Sequence, residues 1–121
     1  MKNKVLVVED SLVVSKMLHS LVSQSELFSP IVANCYREAQ ACLDEYDNEF
    51  FVAIVDLNLP DAPHGQIVDL IFERNIPCIV LTGNFDDEMR FSLLNKGVVD
   101  YITKDTRNSF NSVMDVLNRL A

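Results

Sequence analysis

Five short apolar runs limit what this chain can fold into. The plainest lies in FFVAIVDLNLP at residues 50–60, where residues 50–55 carry no polar side chain and Asp56 ends the run. The strand-length runs are residues 5–8, 30–33, 51–55, 78–81 and 98–103. A strand with one wet face alternates polar and apolar residues. Runs without alternation belong to strands covered on both faces, the habit of parallel sheets.

Helix-period segments separate the runs. Ser11 suits the N-cap of a helix reaching about residue 23, with Val14, Leu18, Leu21 and Val22 at helical spacing. Residues 36–46 place Ala39, Cys42, Leu43 and Tyr46 on one stripe, and residues 66–74 do so with Ile67, Leu70 and Ile71. Residues 86–96 open on Asp86, Asp87 and Glu88, acids that suit a helix N-terminus, and close at Lys96 before Gly97. Residues 108–120 repeat Phe110, Val113, Met114, Leu117 and Leu120. Strand–helix alternation of this kind predicts one α/β domain over residues 1–121, with right-handed crossovers placing helices on both faces of a parallel sheet.

The totals exclude several classes. A chain of 121 residues can bury a core without staples. The formal net charge of −8 argues against direct nucleic-acid binding, since phosphate backbones repel an acidic surface. Cys35, Cys42 and Cys78 are odd in number and lack CxxC spacing, which suits a reducing, cytoplasmic compartment. No run has the length of a membrane span, and Glu9 and Asp10 cut short the apolar N-terminal stretch.

In open parallel sheets the functional crevice lies beyond the carboxyl ends of the strands. Glu9 and Asp10 close the first run, Asp56 the third, Thr82 the fourth and Lys104 the fifth. Each has an ordinary reading: a helix cap, a turn residue, a solvated lysine. Together they are three acids, a hydroxyl and an ammonium at one sheet edge. Clustered carboxylates repel one another unless a cation sits among them, and hard oxygen donors suit Mg²⁺. A carboxylate can attack phosphorus to form an acyl phosphate, and phosphoryl transfer needs mainly positioning and charge neutralisation.

At these residues the chain resembles the receiver domain of two-component response regulators. The likeness is carried by LVVEDS at 6–11, IVDLNLP at 54–60, IVLTG at 79–83 and GVVDYITK at 97–104. It implies a flavodoxin-like, doubly wound, five-stranded sheet in the order 2-1-3-4-5 with five helices. By that resemblance Asp56 is the phospho-acceptor. Asp10, Glu9, Asp56 and the backbone carbonyl of Asn58 would hold Mg²⁺. Thr82 and Lys104 would contact the phosphoryl group, and Thr82 with Tyr101 would form the switch. Asn58 and Asn84 would set how fast the phosphoryl group is lost. From its spacing alone Tyr101 reads as a half-buried strand aromatic.

The resemblance also implies partners: a histidine kinase or histidine phosphotransfer protein, an output domain or effector, and a homodimer through the fourth helix, fifth strand and fifth helix. The chain would be a stand-alone receiver or the N-terminal piece of a longer regulator. It would not be an enzyme beyond its own phosphorylation and dephosphorylation. Two departures stand out. Asp105 replaces the family's usual proline after the lysine, so no cis bond is expected there. Gly65 lies one residue further from Asp56 than in the family, with Pro63 and His64 in the lengthened loop. His64 and His19 receive no role here. The departures motivate an alternative, a pseudo-receiver that binds partners without phosphorylation. A phosphatase would want an aspartate at Asn58, and a flavin site would not tolerate Glu9 and Asp10 beside a phosphate.

Overall fold

The apolar runs become parallel strands. The computed structural model describes residues 2–104 and 108–121. Among them are β1 (Asn3–Val8), α1 (Leu12–Ser23), β2 (Phe28–Ala33), α2 (Tyr36–Glu45), β3 (Val52–Val55), α3 (Gln66–Glu73), β4 (Cys78–Thr82), α4 (Asp87–Lys96), β5 (Asp100–Thr103) and α5 (Ser109–Leu120). The sheet order is β2-β1-β3-β4-β5, as the resemblance implies, and every pair is parallel, as the unbroken runs predict. The expectation about Asp105 falls outside the described residues.

The lack of alternation has a direct cause. Leu6, Val8, Ala53, Val55, Cys78 and Val80 face one buried layer, with Ala39 and Leu43 of α2, Ile67, Leu70 and Ile71 of α3, and Leu93 of α4. Val5, Val7, Val52, Ile54, Ile79 and Leu81 face the other, with Leu18 and Val22 of α1 and Val113, Val116 and Leu117 of α5. Alternate residues of the central strands therefore enter different cores, and both must be apolar. Each large aliphatic side chain so buried contributes about 1.5–3 kcal/mol.

Several strand boundaries differ from the sequence expectation: β1 begins at Asn3 rather than Val5, β3 at Val52 rather than Phe51, and β4 ends at Thr82 rather than Leu81, while the starts of β2 and β5 have identifiable causes. β5 begins at Asp100 rather than Val98, because the end of α4 claims the residues between. Gly97 takes φ 113°, its N–H donates to the Leu94 carbonyl and the Val98 N–H donates to the Leu93 carbonyl. β2 begins at Phe28, upstream of Pro30. Pro30 is tolerated inside it because β2 is an edge strand, where a missing donor can face outward.

The loop after β3 is tied down from outside. Leu59 and Ala62 exchange backbone hydrogen bonds of 3.4 and 3.1 Å across a tight turn. Between them, Asp61 accepts from the Tyr36 N–H at 2.8 Å and the Arg37 N–H at 3.1 Å. These are orphan donors of the first turn of α2, so a loop carboxylate caps a helix distant in sequence. The Tyr36 amide foremost, with that of Arg37, holds the Asp61 carboxyl below its usual range.

A depressed carboxyl contributes stability above its unfolded pKa and loses that contribution as pH falls through the folded one. Denaturation of wild type and Asp61→Asn should therefore differ most at neutral pH, wild type being the more stable. The gap should close as pH drops below the ordinary value of 3.8. A gap unchanged into acid would show that the charge does nothing there.

Candidate functional site

The residues that close the strands keep the sheet's hydrogen-bond ladder for one more step. The Glu9 N–H donates to the Ala33 carbonyl at 3.0 Å, the Asp56 N–H to Val8 at 2.9 Å, and the Lys104 N–H to Thr82 at 2.8 Å. The backbone beneath each functional side chain is thus fixed by its neighbouring strand. Glu9, Asp56 and Thr82 are 1 %, 5 % and 4 % exposed, so the groups that carry the chemistry are also desolvated.

Lys104 lies at the centre. Its Nζ donates to both carboxylate oxygens of Glu9 and to Oδ2 of Asp56, each at 2.8 Å. Asp56 Oδ1 accepts from the Asn58 N–H at 3.1 Å. Glu9 Oε1 also accepts from the Ser11 N–H at 3.2 Å. Asp10 is exposed, yet it offers an oxygen that lies, with those of Glu9 and Asp56, within 4.8 Å of one another.

Three carboxylates against one ammonium leave the pocket short of positive charge. Burial pushes the Glu9 carboxyl from 4.5 to about 7; the charge of Asp56 adds to this, while the Lys104 hydrogen bond opposes it. Burial by itself would lower the Lys104 ammonium, but its bonds to Asp56 and Glu9 outweigh burial and hold it above the usual lysine value. Glu9 thus carries the cost of the crowding. The donor set fits Mg²⁺: it is all oxygen and rich in carboxylate, with the exposed Asp10 leaving a wet side for the waters this ion retains.

The remaining predicted residues lie on the neighbouring strands. Thr82 Oγ1 accepts from the Asn84 N–H at 3.4 Å, and the Tyr101 hydroxyl donates to the Asn84 carbonyl at 3.1 Å. Tyr101 is buried at 6 % exposure rather than half-buried. Burial foremost, and the charge of Asp86, raise its phenol. A cleft of about 280 Å³ opens beside this group, lined by Asn58 and His64 on one side and by Thr82, Asn84, Met89 and Tyr101 on the other. His19 is exposed on α1, where its carbonyl accepts from the Ser23 hydroxyl at 2.6 Å.

The strand-end rule also finds a residue the sequence reading passed over. Asn34 closes β2, and its Nδ2 donates to the Glu9 carbonyl at 2.8 Å. Its N–H donates to Glu38 Oε1 at 2.8 Å. It therefore pins the peptide that joins Glu9 to Asp10.

The family described as Response regulator receiver domain matches residues 5–113. The two-component response regulator ARR12 of Arabidopsis thaliana is 28 % identical over 105 residues, which are 86 % of this chain and 17 % of that protein. The phosphate regulon transcriptional regulatory protein PhoB of Klebsiella pneumoniae is 32 % identical over 108 residues, covering 86 % of this chain and 46 % of that protein. Among solved structures, a probable two-component system response regulator/GGDEF domain protein superimposes with a TM-score of 0.86 at 35 % identity, over 98 % of this chain and 47 % of the other. The chain spans less than half the length of each of these three.

The raised Glu9 carboxyl makes a pH prediction. The folded state holds this proton more tightly than the unfolded chain, so metal-free stability should fall as pH rises from 4.5 to about 7. Glu9→Gln removes the penalty. Its thermal midpoint, followed by circular dichroism, should match wild type near pH 4.5 and exceed it by several degrees above pH 7. An offset that does not vary with pH would contradict the burial argument.

Proposed function

The chain belongs to the response regulator receiver domain family, and we propose that it acts as the phospho-acceptor switch of a two-component signalling system. The observation that carries this reading is the state of Asp56. Its carboxylate is buried at the end of β3, with one oxygen on an ammonium and the other on a backbone N–H, beside two further acids.

In this reading a carboxylate oxygen of Asp56 attacks the phosphorus of a phosphohistidine on a kinase or phosphotransfer protein. The O–P bond forms, the P–N bond breaks, and the leaving imidazole keeps the bonding pair and takes a proton. The product is an acyl phosphate on Asp56. Glu9, Asp10, Asp56 and the Asn58 carbonyl would hold Mg²⁺, which when bound offsets the charge of the phosphoryl oxygens. Lys104, already on Asp56 Oδ2, supplies donors to the same oxygens. The Thr82 hydroxyl, one strand away, donates to another. Hydrolysis reverses the modification: water attacks phosphorus, the bond to Asp56 breaks, and the amides of Asn58 and Asn84 orient that water. No other substrate is turned over, so the domain is a signalling module rather than an enzyme.

Recruitment of Thr82 to the phosphoryl group pulls on Asn84, to which Tyr101 is bonded. The switch then reaches the face made by α4, β5 and α5. That face is suited to change, because α4 buries a single side chain, Leu93, and leaves Phe91 69 % exposed. It would serve for pairing two copies or for docking an output partner. The relatives named above include a transcriptional regulatory protein and a GGDEF domain protein, so a longer regulator with residues 1–121 as its receiver is in keeping with them. Among the described residues no helix is long and apolar enough to cross a membrane, and a cytoplasmic site is proposed on the family's usual setting. The pseudo-receiver alternative is not favoured: Glu9, Asp10, Asp56, Thr82 and Lys104 are all present at the strand ends.

Acetyl phosphate with Mg²⁺ should add one phosphoryl group by intact mass, and Asp56→Asn should add none. Modification persisting in that variant would place the acceptor elsewhere. Decay of the phosphorylated form should change severalfold when Asn58 or Asn84 is substituted. Decay unaltered in both would remove them from the hydrolytic step.

A further inference from the structure

We propose that His64 is a phosphoryl-positioning residue, its imidazole donating a hydrogen bond to the phosphoryl group on Asp56 and prolonging that group's lifetime. The inference rests on the phospho-acceptor reading above and deepens it.

The argument begins with where a phosphoryl group would go. Asp56 has Glu9, Asp10 and Lys104 beside it. The cleft of about 280 Å³ is lined by Asn58, whose N–H donates to Asp56 Oδ1, and by Thr82. A phosphoryl group brings about 1.5 to 2 negative charges and three strong acceptor oxygens. The Lys104 ammonium is already shared between two carboxylates. Among the described residues, those lining the cleft include no lysine or arginine; their one acid is Asp86 and their one basic side chain is His64.

The other polar groups there are neutral or engaged. Asp86 Oδ1 accepts from the Met89 N–H at 3.1 Å, and the Tyr101 hydroxyl donates to the Asn84 carbonyl. Asp61, on the same loop as His64, is turned to the first turn of α2. Phosphorylation therefore adds acceptor oxygens beside a cleft where, among the described residues that line it, His64 is the one basic side chain.

The lengthened loop presents that imidazole on a fixed backbone. The His64 N–H donates to Gln66 Oε1 at 2.8 Å. Gly65, at φ 76°, donates its N–H to the Leu57 carbonyl at 3.1 Å. The Leu59–Ala62 turn and the Asp61 clamp secure the segment before it. One additional residue before Gly65 is thus what brings a histidine to the rim of the cleft.

The test is phosphoryl lifetime. Wild type, His64→Ala, His64→Gln and His64→Lys are phosphorylated with acetyl phosphate and Mg²⁺, freed of reagent, and followed by intact mass. His64 is exposed, so the variants should fold, and circular dichroism verifies it. All four should accept one phosphoryl group. His64→Ala and His64→Gln should lose it about tenfold faster than wild type. His64→Lys, which restores a donor, should restore slow decay. Equal lifetimes in wild type and His64→Ala would overturn the role of His64 while leaving Asp56 as acceptor. A wild type that takes up no phosphoryl group would overturn both.

Discussion

The contact on which the site depends is the Lys104 ammonium held between Glu9 and Asp56. Lys104 follows edge strand β5, whereas Asp56 ends β3 and Glu9 ends β1, so the lysine serves carboxylates two and three strands away. Neighbouring strands lie about 4.8 Å apart, so the nearer backbone is roughly 10 Å off. The register sets how that gap is closed: β1 and β3 stop level, Val8 being paired with Val55, whereas β4 and β5 run two residues further, Val55 being paired with Val80, Val80 with Tyr101 and Thr82 with Thr103. Lys104 therefore stands beyond the level of the two carboxylates, and its long side chain spans the distance to both. A parallel sheet with both faces buried makes such alignment rigid, and that is why so apolar a run ends in a charge.

One cation between two buried acids also explains the asymmetry of their proton affinities. At Glu9 the loss of water outweighs the lysine, and the carboxyl is raised. At Lys104 two carboxylates outweigh the loss of water, and the ammonium is strengthened. The pocket is therefore incompletely neutralised. A divalent cation among the acids would relieve the excess, and a phosphoryl group on Asp56 would compete with Glu9 for the lysine. Under the proposed function the same deficit of positive charge recruits the cation and frees Lys104 to turn toward phosphorus.

Much of this was legible in the sequence. Unbroken runs at residues 51–55 and 78–81 read as doubly covered strands, and residues 52–55 and 78–81 are buried throughout. Ser11 read as a helix cap and Asp86 as an acid opening its helix; both cap, each accepting from the helix N–H three residues on. The strand-end residues Glu9, Asp56 and Lys104 came together as the topology requires. What stayed hidden depended on partners distant in the chain. Asp61 resembles any turn aspartate until α2 is placed beside it. Asn34 ends the weakest of the five runs, so its strand end drew no attention. Lys104 was read as a phosphate contact, but without phosphate its strongest partners are the acids themselves. His64 gained meaning only when the loop was seen to bring it to the cleft.

The helices differ in how firmly they are attached, and the difference has a direction. α3 buries Ile67, Val68, Leu70 and Ile71 within eight residues. α4, two residues longer, buries Leu93 alone, and Phe85, Met89 and Phe91 near it are exposed. A helix anchored by one side chain can shift at little cost in buried surface, whereas moving α3 would open a core. The 83–86 segment leads from Thr82 into α4 and is held to β5 through the Tyr101 hydroxyl. The packing makes the α4 side the compliant one, so under the proposed function a charge change at Asp56 would be directed toward α4, β5 and α5 and away from α3.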